Sequence, residues 1–317
     1  MEKKEKVSKK IKSIANKTKE KTKAIGTKAK TSLEKTKNKA IETMDVNGDG
    51  SFDIEDVIVM GLRTPGIKIS REKFLRKEFG KEFEEEQINN AIEKNPSMAG
   101  IELSQIDKIA DQVIKYERNC ASGISAALGT AAVGPLMVAS IPTELIQYYG
   151  YMLRATQKLM YLYGFPQINV EEKEGTFDSE TMNVLIVCLG VMFGVSGANK
   201  ALKVLALGLK EGAKKKIVNA HLTKGVVFPI VRKIANWFNV TLTKELFGRA
   251  VTNPIPVIGA IIGGGITFFS FKPCCDKLKK TLRNTIFSNP NYNGKDEDLI
   301  EGKDIIEGTA EIIEEDN

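Results

Sequence analysis

"TELIQYYGYMLRATQKLMYLYGF", residues 143–165, decides the fold class. Its Tyr, Leu and Met residues share one face at helical spacing, and the run stops at Tyr163-Gly164-Phe165. The same period returns in "TKGVVFPIVRKIANWFNVTLTKELFG" (223–248). It appears again in "QIDKIADQVIKYERN" (105–119), where Ile106, Ile109, Val113 and Ile114 line one side and Ser104 is the expected cap. Nowhere do apolar and polar residues alternate long enough to make a half-buried strand. The expected fold is all-α, a multi-helix bundle.

Three uncharged runs rich in Gly and Ala surround these helices: Asn119–Thr143, Thr181–Asn199 and Ala250–Phe271. Each approaches the ~20 residues that a membrane span needs. Gly190/Gly194 and Gly259/Gly263 have the spacing that lets helices approach closely. Small residues outnumber Leu and Ile, however, and Pro142, Pro254 and Pro256 interrupt or flank the runs. A closely packed helical core, with a break at Pro142, is expected, with membrane insertion as the alternative.

Charge is distributed unevenly. Residues 1–44 hold 15 Lys against 5 Glu, whereas residues 295–317 hold 10 acidic residues against 2 Lys. The first 44 residues read as a Lys-rich arm, either disordered or a thin amphipathic helix carrying Val7, Ile11, Ile14, Ile25, Leu33 and Ile41. Such an arm, residues 1–43, is suited to an anionic membrane surface. Nucleic acid is a poor partner for it, because no aromatic residue lies among the lysines to stack on bases. Residues 291–317 form an acidic tail. The four cysteines contain no CxxC pair, and the N-terminus has no apolar signal core, so a cytoplasmic protein is expected, peripheral to the inner face of a membrane.

Between arm and body stands "DVNGDGSFDIED", Asp45 to Asp56. A calcium ion takes six to eight oxygen ligands, supplied by loop positions 1, 3, 5, 7, 9 and 12, with Gly at 6 for the turn. Those positions are Asp45, Asn47, Asp49, Ser51 (through its carbonyl), Asp53 (through a water) and Asp56, with Gly50 at 6. Phe52 is apolar where such loops pack inward, and the flanks Ala40, Ile41 and Met44, then Val57, Ile58 and Met60, are apolar too. The following helix must end near Pro65. Ca²⁺ is the expected cofactor. The loop resembles an EF-hand, and its Asp at position 12 resembles the calcium repeats of dockerin modules. Those come in pairs, whereas this loop stands alone, so affinity at the weak end, ~10⁻⁵–10⁻³ M, is expected. Residues 45–100 thus read as an EF-hand-like loop and helical connector, in which Ser70 caps "REKFLRKEFGKEFEEEQINNAIEK", one or two helices. Residues 101–290 are the helical domain.

Two runs give that domain a family resemblance: "IPTELIQYYGYMLRATQKLMYLYGF" (141–165), then "IPVIGAIIGGGITF" (255–268). In this order and separation they resemble the EcsC family over about residues 101–285. The resemblance implies a bacterial cytosolic or membrane-associated protein and supplies no catalytic residues.

The residues themselves offer no catalytic set either. His221 is the only histidine, Cys274–Cys275 reads as a pair of buried thiols, and "IGGGI" lacks the G-K-[ST] of a phosphate loop. Glu144 reads as a first-turn acid. A non-catalytic calcium-binding protein is expected, associated with a membrane surface or a membrane-protein partner. The alternative is an enzyme or carrier for a lipid-like molecule.

Overall fold

A computed structural model describes residues 44–131, 137–169, 177–211, 227–252 and 256–289. The chain divides into two compact units, Met1–Phe52 and Asp53–Asn317. Among the described residues there is no strand, and the all-α expectation holds. The second unit is built from α1 (Ile54–Arg63), α2 (Arg71–Phe79), α3 (Glu85–Glu93), α4 (Leu103–Ala131), α5 (Met137–Leu162), α6 (Ser179–Phe193), α7 (Ala198–Glu211), α8 (Phe228–Thr252) and α9 (Pro256–Leu282). The Lys-rich arm 1–43, His221 and the acidic tail 291–317 lie outside the described residues.

The second unit is organised around α6. Every residue from Val184 to Met192 is buried. A helix with no polar face must be enclosed on all sides, and α1, α5, α7, α8 and α9 enclose this one. Asp178 starts it by accepting from the Thr181 amide at 2.9 Å. Gly194 ends it at φ +74°, a conformation that glycine reaches without strain, and the Val195 amide folds back to the Gly190 carbonyl at 2.8 Å. The apolar run Thr181–Asn199 is therefore a core helix, a turn and the start of α7. No helix among the described residues is long and apolar enough to cross a membrane.

Along the opening stretch, α5 buries Met152, Leu153, Ala155, Leu159, Met160 and Leu162 completely. It packs on α1, α2, α4, α6 and α9. Gln157, also fully buried, ties the α1–α2 connection to this helix. Its amide donates to the carbonyls of Ile67 and Leu153 at 2.9 and 3.0 Å and accepts from the Ile69 amide at 3.0 Å. The expected stripe on α4 is present, with Ile106, Ile109, Val113 and Ile114 all buried. The long pairing of α4 with α9 is fastened at its edge, where Arg283 meets Asp107 at 2.9 Å and Lys279 meets Asp111 at 2.7 Å.

Several local expectations are met. α1 ends at Arg63, just before Pro65, and Ser70 caps α2 by accepting from the Lys73 amide. The charged stretch after Ser70 forms two helices. Two expectations need correction. α5 begins at Met137 and runs through Pro142 without a break; a proline near a helix start removes one backbone bond and need not end the helix. Ser104 lies inside α4, which begins at Leu103, and its hydroxyl bonds Glu102.

Close packing has a measurable consequence at Gly190. A methyl group there would stand 2.7 Å from Cδ1 of Ile234 and 3.0 Å from its Cγ1 and Cγ2. Ile234 is fully buried in α8, so making room for the methyl group would disturb its neighbours. Gly190→Ala is expected to lose about 1–3 kcal/mol through overpacking. Gly123→Ala in α4, where a methyl group meets nothing within 4 Å, is expected to gain up to about 1 kcal/mol. Urea denaturation of the two variants checks the opposite signs.

Candidate functional site

Of the six residues assigned to calcium, Asp45, Asn47, Asp49 and Ser51 belong to the first unit and are brought together there. Asp45 gathers three amides: those of Gly48 and Asp49 on Oδ1, at 2.7 and 3.2 Å, and that of Gly50 on Oδ2, at 2.8 Å. Asn47 Oδ1 accepts from the Asp49 amide at 3.0 Å. Asp49 Oδ1 accepts from the amide and the hydroxyl of Ser51, at 2.8 and 2.7 Å. Gly48 and Gly50, at φ +75° and +88°, make the tight winding affordable to the backbone.

The bonds to Asp49 favour its charged form. The Ser51 hydroxyl holds Asp49 below the usual carboxylate range; the Ser51 amide and Asn47 act in the same sense, and slight burial opposes them. The donors are all oxygens, the preference of a hard cation. Each carboxylate offers about four lone-pair sites, so the amides leave acceptor capacity on Asp45 and Asp49.

Asp53 and Asp56 open α1 in the second unit. Asp53 Oδ1 accepts from the amides of Glu55 and Asp56 at 2.7 and 3.3 Å, and Asp56 Oδ2 accepts from the Asp53 amide at 2.9 Å. This is a reciprocal capping box, with Asp56 in the place of the usual Glu. Asp56 is completely buried. Asn239 of α8 adds a further cap, accepting from the Ile54 amide at 3.3 Å. Among the described residues, no group of three or more His, Cys, Asp or Glu side chains is arranged to hold a metal ion.

The thiols at Cys188, Cys274 and Cys275 are buried, free and pushed up by that burial. This is the character of packing residues, not nucleophiles. Glu144 is the eighth residue of α5 and not in its first turn, which corrects that expectation; its side chain lies outside the described residues. α9 continues as helix through Gly263–Gly265.

Two polar features escaped the sequence reading. The first is an ion cluster between α4 and α5. Glu117 is wholly buried, with Lys158 Nζ 2.5 Å from its Oε1 and Arg154 Nε 3.3 Å from its Oε2. The second contact is an ion pair without hydrogen-bond geometry, so Glu117 Oε2 and Arg154 Nε make no hydrogen bond. Lys158 also lies over the rings of Phe74 and Tyr116, and Arg154 over Tyr151. The sequence does carry a signal. Glu117 follows Ala110 and Ile114 by seven and three residues and precedes the buried Ala121 by four, in register with the apolar stripe.

The second is Arg71, buried at the start of α2. Its guanidinium donates to the carbonyls of Phe165, Ile92 and Ala91 at 3.0, 2.6 and 3.1 Å. The last two belong to the end of α3, where a cation is favoured. Burial pulls Arg71 below the usual guanidinium range, with Tyr161 opposing. A cleft of about 630 Å³ lies beside it, lined in part by Ser70, Lys94, Asn95, Gln167 and Phe287.

Compared with protein-family models, curated proteins and solved structures, the chain matches none significantly.

Proposed function

We propose that the protein is a non-catalytic calcium-binding protein that associates with an anionic membrane surface or with a membrane-protein partner. The observation that carries this reading is the acidic loop. Its register assigns the ligands to Asp45, Asn47, Asp49, Ser51, Asp53 and Asp56, and its first half winds charged oxygens around glycines at positive φ. Bound Ca²⁺ would neutralise carboxylates that otherwise crowd one short turn.

The membrane part is supported by the 15 Lys in residues 1–44, each worth about 1 kcal/mol close to an anionic surface. The resemblance of residues 101–285 to the EcsC family would imply a bacterial cytosolic or membrane-associated protein, which is compatible with this reading. Flotation with vesicles containing an anionic lipid tests this, with and without calcium and with residues 1–43 removed. Removal of the arm is expected to lower partitioning at least tenfold. Unchanged partitioning would show that the arm does not touch lipid.

A further inference from the structure

One side of α8 is spent on the core. Val231, Ile234 and Phe238, at i, i+3 and i+7, are buried. The outward side of a helix packed this way normally carries amides and charges. On α8 it carries Phe228, Trp237 and Val240, which are 49%, 38% and 55% exposed.

These side chains are interleaved with Arg232 and Lys233, both exposed, and no acidic residue occurs from Phe228 to Val240. At about 100° per residue, Phe228, Arg232, Lys233, Asn236, Trp237 and Val240 fall within roughly half the circumference. The aromatic groups are held in place. Trp237 meets Phe238 edge-on, with ring centroids 5.0 Å apart, and tilts against Phe193 at 5.8 Å; the Arg232 guanidinium lies 5.5 Å over the Phe228 ring.

This chemistry is specific. Aromatic rings beside cations, one of them an amphipathic indole, with no acid among them, match the headgroup level of an anionic bilayer, where Trp is favoured and Lys and Arg extend to phosphates. Because apolar and cationic residues alternate around the face, contact is shallow. We propose that the exposed face of α8 docks on an anionic lipid surface, with Phe228, Trp237 and Val240 at the boundary between headgroups and acyl chains and Arg232 and Lys233 on the lipid anions. The inference rests on the membrane reading above and adds a folded contact to the Lys-rich arm.

Trp237 is the chain's only tryptophan, so intrinsic fluorescence reports on this face alone. The full chain is titrated with phosphatidylserine–phosphatidylcholine vesicles and with phosphatidylcholine alone, while sedimentation and emission are followed together. Binding to the anionic vesicles is expected to shift Trp237 emission to the blue and to expose it to quenching by brominated acyl chains. The variant Arg232→Ser/Lys233→Ser is expected to bind about tenfold more weakly. Sedimentation with unchanged Trp237 emission would overturn docking through α8 and leave the arm as the contact. Failure to sediment with anionic vesicles would overturn both the docking and the membrane reading. An equal blue shift on neutral lipid would refute the role of the two cations.

Discussion

Replacing Glu117 by Ala is expected to lower folding stability by roughly 3–5 kcal/mol, the usual cost of removing one partner from a buried ion pair. The reason is what remains. Lys158 and Arg154 sit one helical turn apart on α5, with side chains only 10% and 20% exposed. Without the carboxylate between them, two cations repel in a poorly solvated place. A control separates charge from lost volume. The triple variant Glu117→Leu/Arg154→Leu/Lys158→Met removes every charge and keeps the space filled. It is expected to recover most of the loss, because apolar replacement of a whole buried ion cluster is often neutral or stabilising. Urea denaturation followed by far-ultraviolet circular dichroism reads both. A triple variant as weak as the single one would show that packing, not ionic balance, sets the cost.

Arg71→Ala is the second large loss, about 3–5 kcal/mol. A single guanidinium satisfies three backbone carbonyls and closes the end of α3 against the turn after α5. Its removal leaves the buried Phe165 and Ala91 carbonyls without this donor. Arg71→Lys is expected to recover less than half, because an ammonium point charge cannot span three acceptors held by a planar fork. The exposed Arg76, which pairs with Glu72 and Glu85 at the surface, is a fitting comparison. Arg76→Ala should scarcely change the midpoint. If Arg71→Lys matched the parent protein, charge at the α3 terminus would be the whole of the effect and the fork geometry irrelevant.

Helical period was the strongest signal in the sequence, and it was sufficient for the all-α class and for the buried stripe of α4. Pro65 and Ser70 marked their boundaries because each acts locally, through a fixed φ or a capping hydroxyl. Pro142 misled because a proline removes only one backbone bond, and α5 continues past that loss. The Gly190/Gly194 spacing pointed to close helix approach, yet its two members do different work. Gly190 admits Ile234, and Gly194 turns the chain. Only three-dimensional neighbours separate these roles. The close contact of α1 with α5 at Gly61 and Gly150 had no sequence signal beyond two glycines inside helical patterns.

The acidic loop was legible as a register of oxygens, since its residues are adjacent in the chain. Its backbone bonding was not, because amide capture depends on winding that spacing does not specify. The Asp53–Asp56 capping box does have a sequence form, two acids three residues apart before an apolar run, and Asp at the twelfth position is compatible with it. A short N3 side chain still reaches the N-cap amide, at 2.9 Å. The Glu117 cluster and Arg71 were missed because their partners come from other helices, α5 for the first, α3 and the turn after α5 for the second.

Calcium binding at the loop is tested most directly by isothermal titration calorimetry of the full chain with calcium chloride. The parent protein is expected to release or absorb heat with one site per chain and a Kd in the ~10⁻⁵–10⁻³ M range. Asp45→Ala/Asp49→Ala is expected to lose that heat while retaining the helical circular dichroism of the second unit. No binding heat from the parent protein at millimolar calcium, or the same isotherm from the double variant, would contradict the assignment.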